Sequence, residues 1–409
     1  MKKKYVGVAL CCTLCLTGAC LSACNKTDVA GESETGSTQT QTAVESSLSN
    51  SSNQANQNRV FSINDKLYAI GANGYSNSNT VINIDGDKVG GKAWSISDDA
   101  SIKDMCIVGN NLYFIQTGAA GHTDSVAAKI CKCDLDGSNV EVVYEPKLVA
   151  ESEFSASNAI GNLTSDGTKL YFTQSGQNNV SIYSFDVEDK EVSEVCLTES
   201  RVDIDNLCVC AGNIYYSGIE ESENLTPVLY RCALDGSGQE AIDTNNMLVD
   251  TMMAYNNKLY YSCSAEFSDF NKKGSHVVEL DPTNGNSRTV FATDNSRIFT
   301  MNVQKDVIYF VETLSNVADN QPMKFDAKLY SCDMDGNNKT ELGNYVLEQS
   351  VDSNGEDIVK GKQVQDVCVV NNKVYVSCVK LNGDIETGDV DYFVDAIDLA
   401  TKNSVNLDF

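Results

Sequence analysis

From residue 59 onward, apolar and polar positions alternate in short runs, and the runs repeat. A Leu/Ile/Val-Tyr pair stands at Leu67-Tyr68, Leu112-Tyr113, Leu170-Tyr171, Ile214-Tyr215, Leu259-Tyr260, Ile308-Tyr309 and Val374-Tyr375. Seven residues before the first member of each pair stand Val60, Met105, Leu163, Leu207, Met252, Met301 and Val367, all apolar. One residue earlier stand Arg59, Asp104, Asn162, Asn206, Thr251, Thr300 and Asp366, all polar. Alternation of this kind between turn residues predicts half-buried β-strands. The pairs are spaced by 45, 58, 44, 45, 49 and 66 residues. Strand-rich repeats of about 40–50 residues are the signature of propeller blades.

A second signature follows the first. It reads Ile84-Asp85-Gly86, Leu135-Asp136-Gly137, Leu234-Asp235-Gly236 and Met334-Asp335-Gly336, with weaker forms at Phe185-Asp186, Leu280-Asp281 and Leu399-Ala400. An apolar run into Asp-Gly predicts a tight hairpin turn, because Gly accepts positive φ and Asp bonds its own backbone. Each repeat then holds four short strands. In the second repeat they are expected near residues 105–108, 112–116, 129–134 and 140–144. The expected fold is all-β: a seven-bladed β-propeller, four antiparallel strands per blade, over residues 59–409. Ring closure is expected from packing of the first blade on the seventh, with a displaced strand from the preceding segment as the alternative.

The Asn-Asn-Lys-Leu-Tyr-Tyr motif at residues 256–261 and the Leu-Tyr…Leu-Asp-Gly motif at residues 229–236 resemble a family of bacterial propellers of unknown function. That family is named for its likeness to the propeller of the low-density-lipoprotein-receptor-related proteins. The resemblance covers roughly residues 59–409. The receptor propellers carry Tyr-Trp-Thr-Asp where this chain has Leu-Tyr-Tyr or Leu-Tyr-Phe, so the likeness is one of architecture. It implies an exported, often lipidated binding or scaffold domain and carries over no catalytic residues.

The N-terminus has a different pattern. Lys2-Lys3-Lys4 precedes an apolar run over residues 6–21, the charged and apolar regions of an export signal. Leu21-Ser22-Ala23-Cys24 resembles the lipobox of bacterial lipoproteins, which implies cleavage before Cys24 and a diacylglycerol on its thiol. Cys20 is a competing site, with a poorer match in Thr17-Gly18-Ala19. Residues 25–57 lack any aromatic residue and are dominated by Ser, Thr, Asn, Gln, Gly and Glu. Such a segment buries too little apolar surface to offset its ordering entropy. The expected organisation is a signal peptide at residues 1–23, lipidated Cys24 with a disordered tether at 24–58, and the propeller from 59. No later run is long and apolar enough to span a bilayer. The expected location is the extracytoplasmic face of the cell membrane, held by the lipid anchor alone.

Charge and cysteine usage narrow the chemistry. The chain has 30 Lys and Arg against 57 Asp and Glu, a formal charge of −27. Residues 1–23 hold three lysines and no acid, so the remainder carries −30. That balance argues against nucleic-acid partners. Of 16 cysteines, five lie at or before Cys24, and the other eleven form an odd set at strand positions. Equivalent positions in different blades are too far apart to bridge, so they read as small buried hydrophobes. The pairs Cys131/Cys133 and Cys208/Cys210 put two thiols on one strand face but lack the spacing and histidines of zinc sites. His122 and His276 are the only histidines, and neither sits in a catalytic motif. The Asp-x-Asp-Gly turns at residues 134–137 and 333–336 run straight into strands and read as turns, not calcium loops. No metal, cofactor or catalytic constellation is read, and no catalysis is expected.

Antiparallel blades place the short turns on one face and the long connections on the other. The long ones are residues 118–128, 145–158, 220–227, 314–327 and 347–361. Long connections on a rigid scaffold are where function usually resides. Arg59, Asp104, Asn162, Asn206, Thr251, Thr300 and Asp366 begin the innermost strands on that face and are the candidate ligand-binding ring around the channel mouth. The expected role is a membrane-anchored, monomeric binding or scaffold module for an extracellular protein or glycan. The alternatives are an extracellular hydrolase or lyase acting on carbohydrate or phosphoester at the mouth, and an extracytoplasmic sensor or assembly factor.

Overall fold

The structure, a computed structural model, describes residues 45–71, 79–118, 128–146, 160–175, 180–197, 202–220, 225–264, 274–316, 324–351, 357–384 and 389–408. The signal and lipobox lie outside these residues, as do His122 and most of the long connections. Within them the chain is all-β except for a 3-10 turn at Ser47–Ser49 and a one-turn helix, α1, at Ser51–Gln54. The strands form antiparallel meanders: five four-stranded sheets and one eight-stranded sheet. No sheet closes on itself among the described residues.

Every Leu/Ile/Val-Tyr pair lies on the second strand of its four. These strands are Lys66–Ile70, Asn111–Gly118, Lys169–Ser175, Asn213–Glu220, Lys258–Ser264, Val307–Asn316 and Lys373–Asp384. The apolar residues seven positions earlier lie on the first strands and are all at most 1% exposed. In the second repeat the strands are Ala100–Val108, Asn111–Gly118, Lys129–Asp134 and Glu141–Tyr144. The first of them starts earlier than the sequence suggests, because pairing resumes beyond a bulge at Asp104 and runs to Ala100↔Gly118.

Two long connections are shorter than expected. Residues 347–351 and 357–361 pair as strands, from Leu347↔Gly361 to Val351↔Asp357, and fuse the last two repeats into the eight-stranded sheet. Tyr345, Leu347 and Val359 are buried, so the apolar alternation carries both strands onward. Likewise Val307–Asn316 and Lys324–Asp333 pair out to Asn316↔Lys324.

Each sheet packs on the next through apolar clusters. Phe61, Trp94, Met105 and Phe114 join the first two sheets. Cys106, Tyr113, Leu163 and Phe172 join the second and third. One large cluster with Ile182, Leu207, Tyr216, Met252 and Tyr261 runs through the third, fourth and fifth. Met253, Val277, Met301 and Phe310 join the fifth to the sixth repeat, and Tyr309, Leu329, Val367 and Val376 join the sixth to the seventh. A last cluster, with Val60, Ala69, Tyr375 and Leu407, packs the final repeat against the first. The Asp-Gly turns take part in this stacking. A Cβ on Gly236 would lie 1.7 Å from the Val195 carbonyl oxygen of the preceding sheet, and one on Gly137 would lie 2.1 Å from the Trp94 ring. These glycines therefore serve both a positive φ and a close approach between sheets.

The tether expectation fails over its last part. Residues 45–58 are not a free linker: Leu48, Ser51, Ser52, Asn53, Gln54, Asn56 and Asn58 are all buried, each at most 4% exposed. Ser46 bridges to Ile63, and Leu48 sits in the core between the first two sheets.

Candidate functional site

Outside the pairing of residues 357–361 with 347–351, the innermost strand of each repeat has one edge with no neighbouring strand, which leaves backbone N–H and C=O groups to satisfy. The segment at residues 51–58 satisfies some of them in four repeats. The Ser51 hydroxyl oxygen accepts from Ala254 N–H at 2.6 Å. Ser52 donates to the Val303 carbonyl at 2.8 Å and accepts from Val303 N–H at 3.1 Å. The Asn53 amide does the same for Val369, donating at 3.0 Å and accepting at 2.8 Å. Asn56 donates to Met301 O at 2.9 Å and accepts from Val367 N–H at 3.1 Å. Asn58 donates to Met105 O at 2.7 Å.

Ala254, Val303 and Val369 all stand five residues before their Tyr-pair anchors, and Met105, Met301 and Val367 stand seven before. The period of two selects the groups on one strand edge. The segment thus plugs the space enclosed by the innermost strands of the second, fifth, sixth and seventh repeats, then continues into the first. Short amide and hydroxyl side chains suit this place, because each carries the donor and acceptor that a missing strand would supply.

The expected ligand-binding ring lies beside the plug and is largely buried. Asp104, Asn162, Asn206, Thr251, Thr300 and Asp366 are 2–8% exposed. Asn162 donates to the Thr173 hydroxyl at 3.1 Å and to Ile204 O, on the next innermost strand, at 3.3 Å. Asn206 repeats the motif one sheet on, to Ser217 at 3.1 Å and Val249 O at 3.2 Å. These two residues tie successive innermost strands together. Thr300 donates to the Asn56 side-chain oxygen, so it holds the plug. Half-buried Arg59 donates to Gln57 at 2.8 Å and lies 3.7 Å from Asp366. Burial pushes the Asp366 carboxyl up to about 6, with Arg59 opposing and Asp104 adding to the shift. The ring is built inward, into the fold.

A second acidic set sits close to the ring in sequence. Asp203, Asp205 and Asp250 lie on the innermost strands of the fourth and fifth repeats, in the N-terminal halves that lead toward the long connections. Asp205 and Asp250 each stand one residue before a ring member, at a register break where the strand bulges. Bulges re-aim side chains. Asp203 is exposed and Asp205 half-buried. Burial pushes the Asp205 carboxyl up to about 7, with the nearby Asp203 and Asp250 charges adding to the shift. Asp250 is raised by its own burial against the pull of Arg297. Arg297 reaches across from the sixth repeat to Asp250 Oδ1 at 2.6 Å and lies 4.9 Å from the centre of the Phe299 ring. The sequence signal for this group was present one position from the ring. It was missed because the bulge at Asp205 and Asp250 is invisible in a regular two-residue alternation.

The Asp-x-Asp-Gly turns are closed on themselves. Ser138 N–H and hydroxyl both donate to Asp136 Oδ1, at 2.9 and 2.6 Å, and Asn139 donates to Asp134 Oδ2 at 2.6 Å. Among the described residues, no group of three or more His, Cys, Asp and Glu side chains is placed to hold a metal ion.

No protein-family model and no curated protein matches the chain. Similar solved structures are propeller-type proteins. An oligogalacturonate lyase in complex with manganese is 11% identical at a TM-score of 0.47, over 72% of this chain and 73% of that one. A TolB-type protein from Agrobacterium tumefaciens is 14% identical at 0.38, over 57% and 76%. A Mycobacterium tuberculosis puromycin-hydrolyzing peptidase is 8% identical at 0.43, and this chain spans only 52% of its length. Enzymes stand among these structures, so the expectation of no catalysis is withdrawn. At such scores the likeness brings no activity, substrate or site to this chain.

Proposed function

We propose that this chain is a lipid-anchored, extracytoplasmic seven-bladed β-propeller that binds a ligand at the mouth of its central channel. The anchor reading rests on the Leu-Ser-Ala-Cys sequence ending at Cys24. The seven-blade reading rests on the seven Tyr-pair strands and on the cluster that packs the last repeat against the first. The observation that carries the binding reading is exposed Asp203 beside half-buried Asp205 on the innermost strand of the fourth repeat, with the buried side chain of Asp250 near them on the fifth. The ligand fitting this mouth is an extracellular protein or glycan that presents basic or hydrogen-bond-donating groups.

The test is binding of the full chain to glycan, cell-wall and secreted-protein panels, repeated with Asp203→Asn and Asp205→Asn together. A ligand whose affinity falls at least tenfold in the double variant supports the reading. A ligand unaffected by it places binding elsewhere. For the anchor, Cys24→Ala is expected to abolish lipid labelling and membrane retention, and a variant that keeps both would overturn that part. A second reading, a hydrolase or lyase acting on carbohydrate, is favoured by one observation: a half-buried carboxyl raised to about 7 beside exposed Asp203 is suited to holding a proton for general-acid chemistry. Turnover of a glycan with a pH profile that Asp205→Asn abolishes would support it.

A further inference from the structure

The eleven cysteines after Cys24 are all buried and all free thiols, but two of them are placed unlike the rest. Cys196 lies on Val192–Leu197, the outermost strand of the third sheet, and Cys232 on Thr226–Ala233, the third strand of the fourth. They occupy different positions in their repeats, so the rule that keeps equivalent cysteines apart does not apply to them. Their sheets come close beside this pair: Val195 O faces the backbone of Gly236 with no room for a Cβ. Both thiols belong to one core cluster, and Gln239, which Cys196 reaches, adjoins the strand Glu240–Ala241 that pairs with the strand of Cys232. Around them, the Tyr216 hydroxyl lies 3.7 Å from the Cys196 sulfur, and Cys196 donates toward Gln239 Oε1 at 3.6 Å. Cys196 is the less buried of the two, at 5% exposed against 1%.

We infer that Cys196 and Cys232 are a redox-active thiol pair that closes into a disulfide between the third and fourth repeats. The polar surroundings are those such a pair needs. The Cys232 thiol and the Tyr216 hydroxyl together outweigh burial and lower the Cys196 pKa, while Cys232 is raised. The thiolate is the attacking species in exchange, so Cys196 is the entry point and Cys232 the resolving thiol. With a small disulfide such as oxidised glutathione, the Cys196 thiolate attacks one sulfur and releases one glutathione. Cys232, giving up its proton, then attacks the Cys196 sulfur and releases the second. Two thiols and one glutathione disulfide become one protein disulfide and two glutathione thiols. By contrast, burial alone dominates at Cys106, Cys263, Cys332 and Cys368, pushing each thiol up, and these are expected to stay reduced.

The experiment treats the folded full chain with oxidised glutathione at pH 7.5, quenches with acid, denatures, alkylates the remaining thiols and maps the peptides by mass spectrometry. The expected product is one cross-linked peptide pair containing Cys196 and Cys232. In Cys232→Ser, Cys196 is expected to stop at the glutathione mixed disulfide. In Cys196→Ser, Cys232 is expected to be alkylated without glutathione. Thermal unfolding of each variant, compared with the reduced parent, checks that the fold is kept. Recovery of both cysteines as separate alkylated peptides from the treated parent overturns the inference. So does a stable Cys196–glutathione adduct in the parent, because the resolving thiol would then be out of reach.

Discussion

The third to fifth repeats and the junction of the last repeat with the first two hold the molecule together in different ways. Between the former, the sheets meet through large apolar side chains such as Leu207, Tyr216, Met252 and Tyr261, each at most 3% exposed. At the junction, an apolar cluster is present, but the inner edges are joined by Ser51, Ser52, Asn53, Asn56 and Asn58, whose hydroxyls and amides bond backbone groups of four other innermost strands. The difference follows from what each surface needs. A sheet face needs apolar area covered, and almost any well-fitting hydrophobe does this. An open strand edge needs donors and acceptors in register, and a hydrophobe there would leave them unmet.

The largest way to break this comparison is to remove the plug. A chain beginning at Arg59 is expected to melt more than about 10 °C below one beginning at Glu45, because several buried hydrogen bonds and the Leu48 contact are lost together. Melting followed by circular dichroism decides it, and equal midpoints would reduce the plug to decoration.

Single substitutions sharpen the contrast. Leu207→Ala should cost about 2–5 kcal/mol through the cavity it leaves. Asn53→Ala should cost about 2–3 kcal/mol, since Val369 N–H and C=O and the Asn302 amide all lose a partner. The telling variant is Asn53→Leu: it should be no better than alanine, whereas at an ordinary core position restored volume would recover stability. Urea titration of all three gives the comparison.

Smaller effects are expected at the turns. Gly236→Ala adds a collision with Val195 O to the strain of φ +82° and should cost more than about 2 kcal/mol. Gly86→Ala, at φ +63° with nothing within 4 Å, should cost only about 1 kcal/mol. Similar losses at both would mean that the Asp-Gly turn does nothing between sheets.

A pH dependence is also expected at the junction. The folded-state Asp366 carboxyl is raised above its ordinary value to about 6. Its contribution to stability is therefore fully present below about 3.8 and is lost as pH rises through about 6. Asp366→Asn should flatten the stability profile between these values, with Arg59 and Asp104 as the remaining charged neighbours. A variant profile parallel to the parent's would show that Asp366 is not the titrating group.

Much of this architecture was legible from residue types alone. The Tyr-pair repeat located every second strand, and the apolar residues seven positions before located every innermost strand, because burial of one sheet face imposes a period of two that survives in sequence. The Asp-Gly signature located hairpin turns for the same local reason. The pairing of residues 347–351 with 357–361 was not legible, since it joins two repeats and the apolar alternation of each strand does not say which edges meet.

What the sequence determined by itself was therefore the local and the periodic: all-β meanders, repeated seven times along the chain, with a polar residue just before the buried apolar anchor of each innermost strand. What only the tertiary structure decided was where polar side chains go. Composition marks residues 45–58 as unable to form a core, and that is correct, since they form none of their own. They are ordered because the repeats, brought together by apolar packing, leave unpaired strand edges, and the hydroxyls and amides that made the segment look disordered pair with four of those edges. The bulge at Asp205 and Asp250, and the approach of Val195 to Gly236 between the third and fourth sheets, have the same origin. A bulge and a sheet-to-sheet approach are properties of pairs of elements, and no single stretch of sequence encodes them.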